Sequence, residues 1–167
     1  MFAGGLSKEV LEYVDEWIPE QNHRQKSEFQ AELQEYLDKR LNSGVVAMGM
    51  GNVRDDVPVR VDHGPVEADV VAGDDIGIVV VRELASDAAE TLPGRIDAYT
   101  EEFSMVTVVA CGVREMGRWE AVQEEYRSDS FSVTSGPEVQ FVHKEKKHFG
   151  KDPVDLEDDD SWFASWF

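Results

Sequence analysis

A single cysteine, Cys111, is all that the 167 residues contain, so no disulfide can form within the chain. It lies in an apolar run and reads as a small buried hydrophobe. No apolar run reaches the roughly 18 residues that a membrane helix needs, which argues against a membrane partner. The opening Met1-Phe2-Ala3-Gly4-Gly5 lacks a basic region followed by an apolar stretch, so no signal peptide is expected. His23, His63, His143 and His148 are scattered without metal-ligand spacing and read as surface residues. Gly49-Met50-Gly51 lacks the pattern of a phosphate loop, and no nucleophile motif surrounds any serine. No cofactor is expected, and the simplest setting is cytoplasm or a virion.

Positive charge is the other scarcity. Sixteen Lys and Arg stand against 35 Asp and Glu, a net charge of −19, and no lysine occurs between Lys39 and Lys144. Free nucleic acid is a poor partner for such a surface, because phosphate contacts need clusters of Lys and Arg. The one dense cluster is Lys144-Glu145-Lys146-Lys147-His148 with Lys151 beyond it. It reads as a solvated segment joining a domain to a tail. A strongly acidic surface repels itself at low ionic strength and tolerates molar salt. Valine far outnumbers isoleucine, which occurs only at Ile18, Ile76, Ile78 and Ile96. This composition resembles that of haloarchaeal proteins and their viruses, which implies a high-salt environment. An acidic protein that binds basic partners is the alternative.

The length suits one domain with one core. Ser7 is placed to cap a helix over 8–17, with Val10, Val14, Trp17 and Ile18 on one face and Pro19 ending it. Ser27 with Gln30 has the form of a capping box for a second helix to about Leu41. Phe29, Leu33, Leu37 and Leu41 form its apolar stripe, and Asn42-Ser43-Gly44 should stop it. The centre changes period. Val45 to Met50 reads as a buried strand with a bend at Gly49 and Gly51. Val57, Val59 and Val61 alternate beside Pro58, as on an edge strand. Residues 68–72 and 76–81 are joined by Gly73-Asp74-Asp75 and read as a hairpin. A helix is expected from Ser86 to about Phe103, broken or restarted at Pro93-Gly94. Met105 to Cys111 reads as a strand covered on both faces, hence parallel to a neighbour. A helix over 115–126 and a short strand over 139–142 follow. The predicted order is α-α-β-β-β-β-α-β-α-β, an α/β domain with a mixed sheet over 1–151.

From Ser27 to about Val142 this order resembles the PD-(D/E)xK, or restriction-endonuclease-like, nuclease fold. In that family a helix carrying Glu precedes an antiparallel hairpin, which presents an Asp and then a Glu-x-Lys. A helix and a parallel strand follow. Asp69 stands where the family has its Asp, and Glu28 or Glu32 where it has the helix Glu. Its Glu and Lys fall on Val79 and Val81. Two carboxylates in this family share a divalent metal that activates water and stabilises charge on phosphate. A valine offers such a metal no lone pair. The resemblance therefore implies a degenerate, inactive scaffold. If the chain is active instead, the site would be Glu28, Asp69, Glu83 and Arg95 with Mg²⁺ on Asp69 and Glu83. Glu83 shares the strand face of residues 79 and 81, and Arg95 would replace the lysine.

From Asp152 the composition turns acidic and then aromatic, which defines a tail over 152–167. Six of the nine residues 152–160 are acidic, as in an extended, solvated linker. Ser-Trp-Phe then occurs twice, four residues apart. One helical turn would gather Trp162, Phe163, Trp166 and Phe167 into an aromatic knob. Burying a large apolar side chain is worth about 1.5–3 kcal/mol, so these rings are expected to dock, on another chain or on their own domain. The acidic, aromatic ending loosely resembles the partner-recruiting tails of bacterial single-stranded-DNA-binding proteins, without their Pro-Phe terminus.

The reading that follows is a non-catalytic interaction or assembly protein. It uses a nuclease-like scaffold and docks to a partner protein or identical subunits through its tail, as a structural component of a haloarchaeal tailed virus would. The alternatives are a metal-dependent nuclease with a rearranged site, or an accessory subunit of a DNA-processing complex.

Overall fold

The computed structural model describes residues 2–48, 57–132 and 138–150. Four helices and five strands run α1 (Phe2–Glu16), α2 (Lys26–Met48), β1 (Val59–His63), β2 (Ala68–Ala72), β3 (Ile76–Leu84), α3 (Ser86–Glu102), β4 (Met105–Val113), α4 (Met116–Ser132) and β5 (Glu138–Lys144). A short 3₁₀ turn over Lys146–His148 follows. The strands form one mixed sheet in the order β1-β2-β3-β4-β5. The first three pair antiparallel, and β3, β4 and β5 pair parallel.

Side chains alternate across the sheet, and each face buries its own set. On one face Val59, Val70, Ala72, Ile78, Val80, Val109 and Cys111 pack against Val10, Val14 and Trp17, which α1 and its C-terminal end supply, and Phe29, Leu33 and Leu37 of α2. On the other, Val71, Val79, Val81, Val106, Val108 and Ala110 meet Leu92, Ile96 and Tyr99 of α3 and Trp119, Val122 and Tyr126 of α4. Both crossovers from one parallel strand to the next therefore lie on the second face. Burial pushes the Cys111 thiol well above its ordinary range, as expected of a packing residue. Gly77 is required for close approach. A Cβ there would meet the Tyr99 ring at 2.9 Å and the Phe103 ring closer still.

The mixed α/β sheet, the hairpin and the parallel 76–81/105–111 pair match the sequence expectation. Several local expectations do not hold. Helix α1 begins at Phe2, so Ser7 lies inside it rather than at its cap. Helix α2 runs past Asn42-Ser43-Gly44 to Met48, so residues 45–48 are helical and not a strand. The described residues consequently hold one strand fewer than predicted, while 49–56 lie outside them. Asn42 does not break the helix because its side chain has partners outside it. It donates to Val57 O and accepts from Val57 N, at 3.0 and 2.7 Å. The cap of α2 is also shifted, since Glu28 Oε1 accepts from Gln25 N at 3.1 Å while Gln30 is buried elsewhere. Helix α3 runs unbroken through Pro93. Its apolar face (Ala89, Leu92, Ile96, Tyr99) spans the proline, so packing outweighs the one missing N–H. Val61 is not inward like Val57 and Val59 but 39% exposed. No helix among the described residues is long and apolar enough to cross a membrane. Residues 152–167, where the docking tail is expected, lie outside the described residues.

Candidate functional site

Backbone pairing between β2 and β3 covers residues 70–72 and 76–78. Asp69 sits where that ladder gives out. Its carboxylate takes the place of a backbone acceptor, with Oδ2 accepting from Val80 N at 2.8 Å. The same oxygen accepts from Arg95 Nη2 of α3 at 2.6 Å, and Oδ1 accepts from Lys26 Nζ of α2 at 2.8 Å. The Asp69 backbone is held as tightly. Its N–H donates to Tyr99 Oη at 2.7 Å and its carbonyl accepts from Gln30 Nε2 at 3.0 Å. Gln30 also donates to Asp62 Oδ1. Asp69 is 1% exposed, and each of its polar atoms has a partner.

Two cations therefore neutralise one buried carboxylate. Burial works against the charge of Arg95, but Asp69 outweighs it and holds the guanidinium above its ordinary value. Tyr99 is pushed up to about 12 by burial and by the Asp69 charge, so it stays a neutral phenol. Its ring also lies 6.0 Å from the Arg95 guanidinium carbon.

Of the residues singled out in the sequence, the structure unites Asp69 with Arg95 and gives the others different partners. Glu28 is half-exposed and caps α2. Glu32 accepts from Trp17 Nε1 at 2.9 Å and from Glu20 N, and its Oε1 lies 2.7 Å from His23 Nε2. Glu83 faces Arg82, Arg114 and Lys146. Val79 and Val81 are buried under α3 and α4. Sequence reasoning missed Lys26, Gln30 and Tyr99. The signal for Lys26 was faint: it is one of two cations, with Arg24, just before the predicted start of the second helix.

This donor set does not fit a divalent metal. Both oxygens of Asp69 are taken by cations and a backbone N–H. Among the described residues no group of three or more His, Cys, Asp or Glu is placed to hold one. The arrangement can instead lock α2 and α3 onto opposite sides of the hairpin end. In comparisons with known proteins, the chain matches no family model, no curated protein and no solved structure.

Proposed function

We propose that this chain is a non-catalytic interaction and assembly protein. Its scaffold is nuclease-like in element order, and it docks to other chains through Trp162, Phe163, Trp166 and Phe167. The observation that carries the loss of catalysis is the state of Asp69. The one carboxylate at the family's Asp position is bound by Lys26, Arg95 and Val80 N, and buried valines follow on β3. Where the resemblance implies a helix Glu, the start of α2 sends a lysine to Asp69. The charge that a metal would contribute is supplied by two fixed side chains.

The docking half rests on the tail. An acidic linker holds an anchor near its target and raises its effective concentration, and tryptophans commonly dominate binding. The acidic composition supports a high-salt setting, and a structural component of a haloarchaeal tailed virus fits it. Deleting residues 161–167 should leave the domain folded by circular dichroism and abolish assembly in light scattering. If the truncated chain unfolds, the tail is a structural staple and the proposal fails. Nuclease assays in molar KCl with Mg²⁺ or Mn²⁺ should show no cleavage. Cleavage that disappears in Asp69→Ala would favour the alternative of a rearranged nuclease, for which the contact of Arg95 with Asp69 is the one supporting feature.

A further inference from the structure

The C-terminal ends of the parallel strands β3, β4 and β5 line up along one end of the sheet, a basic edge where cations gather. Arg82, Arg114 and Lys146 converge on the single carboxylate of Glu83. Three positive charges against one negative leave an excess of two. Arg82 also donates through Nε to His23 O at 2.7 Å, which joins the loop before α2 to the same edge. Beside them lie Lys147 and His148, which share Glu145, and Arg118, which pairs with Glu115. The Arg114 and Lys147 side chains are about two-thirds exposed. Glu83 itself has φ +50, an uncommon conformation for a residue other than glycine. Gly112, at φ +95, gives the Lys146 side chain room to cross β4. In a chain of net charge −19, this edge is a local surplus of positive charge.

The described chain leaves the domain at this place. The turn at Lys146–His148 carries it to Gly150, whose N–H donates to Pro19 O at 2.8 Å. The next residues are Lys151 and then the stretch 152–160 with its six acids. Nine residues reach up to about 30 Å when extended, enough to lie along the edge from that starting point. A tethered segment meets the edge at an effective concentration on the order of millimolar, far above that of a separate acidic chain in dilute solution.

We propose that the basic edge formed by Arg82, Arg114 and Lys146 is the docking surface of the chain's own acidic segment 152–160. The contact is ionic and open to solvent, so salt controls it. The Debye length is roughly 10 Å at 0.1 M and 3 Å at 1 M. At low ionic strength the segment lies on the edge and draws the aromatic end toward the domain. At molar salt it is released, and the aromatic end is free to reach a partner. This goes beyond the proposed function and holds whether or not the rings find another chain.

The test uses the full chain. Cys111 is buried, so Ser161→Cys offers the accessible thiol for a nitroxide label. Paramagnetic broadening is then read at the backbone amides of Arg82, Arg114 and Lys146. The dispersion of the domain's backbone amides identifies the lowest KCl at which the domain stays folded. Broadening severalfold above that of amides on the β1 edge is expected there. It should fall to that background in molar KCl and in the double variant Arg114→Ala/Lys146→Ala at the lower salt. A label that broadens none of these amides at the lower salt overturns the proposal. So does broadening that survives the double variant, or broadening of unlabelled ¹⁵N chains by labelled ¹⁴N ones, which would place the segment on a second copy.

Discussion

Asp69 and Glu83 are both carboxylates ringed by cations, and they behave as opposites. Asp69 is 1% exposed, and its two cations come from helices on either side of the sheet. Its remaining lone pairs and its backbone are also bound. Glu83 has three cations and a side chain 17% exposed, and one of its partners, Arg114, reaches well out into solvent. The first arrangement is closed, with every group satisfied, and it fixes where α2 and α3 sit. The second is open and unbalanced. In a low-dielectric interior an unpaired group is heavily penalised, so a buried cluster has to be complete. At an edge water fills the deficit, and an excess of charge can persist as a surface for something else. Ion-pair count alone would have ranked the two sites the wrong way round.

The sharpest way to break the comparison is to put a new acid into each region. Val79 is fully buried on the face of β3 that meets α3 and α4. Val79→Glu places a carboxylate where the nuclease resemblance would have one, but it buries a second acid under α3, whose Arg95 is already bound to Asp69. Urea unfolding in molar KCl should show a loss of about 3–5 kcal/mol, or no folded protein. Arg114→Glu, on the open edge, should change stability by less than about 1 kcal/mol. Removing the central carboxylates comes next. Asp69→Ala leaves Val80 N without its acceptor and two cations facing each other, for a loss of about 2–3 kcal/mol. Glu83→Ala should fall below about 1 kcal/mol, because its partners are solvated. Equal losses would mean that the open edge is as structural as the closed one.

Lys144 sharpens the contrast from within the edge region. It is 7% exposed, and its Nζ donates to Asp15 O at 2.5 Å. Burial pushes it down to about 8, against an opposing pull from Asp15. The unfolded chain keeps the proton to the ordinary lysine value near 10.4, so between these limits it binds more protons than the folded one. Lys144 by itself should therefore make stability rise with pH, by about 2 kcal/mol between pH 8 and 10, against an opposing loss from Cys111, whose thiol ionises in the unfolded chain from its ordinary range but stays protonated in the fold. Below pH 8 both states are protonated, and this contribution is flat. The pH dependence of the stability difference between the parent chain and Lys144→Met isolates this contribution. Tyr99, raised to about 12, adds a further opposing loss from about pH 10 upward, where the unfolded phenol ionises and the folded one does not.

Much of the scaffold was legible because it depends on period. The run 105–111 and the hairpin at Gly73-Asp74-Asp75 announced themselves through valine-rich stretches and turn residues, and both are in the sheet. The end of α2 was not legible. Asn42-Ser43-Gly44 is a stop signal by local chemistry, but the contacts of Asn42 with Val57 come from residues 15 positions away. Pro93 misled for the same reason, since the apolar face that carries α3 past it is satisfied by the sheet and by α4. At the site, Asp69 and Arg95 were visible as residue types in the right elements. Lys26, Gln30 and Tyr99 were not, because their meeting at Asp69 spans 30 to 43 positions and leaves no spacing to read.

The smallest effect separates the two cations of the closed site. Lys26 is 41% exposed at the start of α2 and makes one ionic contact with Asp69. Solvent screens it, and truncating it leaves Arg95 and Val80 N on Oδ2 while opening Oδ1 to water. Lys26→Ala should therefore reduce stability by less than about 1 kcal/mol, and this difference should shrink further as KCl is raised. Arg95 is more enclosed, and besides its contact with Asp69 it lies over the Tyr99 ring, so Arg95→Ala removes packing as well as charge. Its loss should be larger, about 1–2 kcal/mol, and should persist in molar salt, because its packing on Tyr99 is not screened by ions. Measured by urea unfolding at low and molar KCl, the two variants should differ in salt dependence more than in size. If both fade equally with salt, Asp69 is more open to solvent than its burial indicates, and the distinction between the closed and the open site collapses.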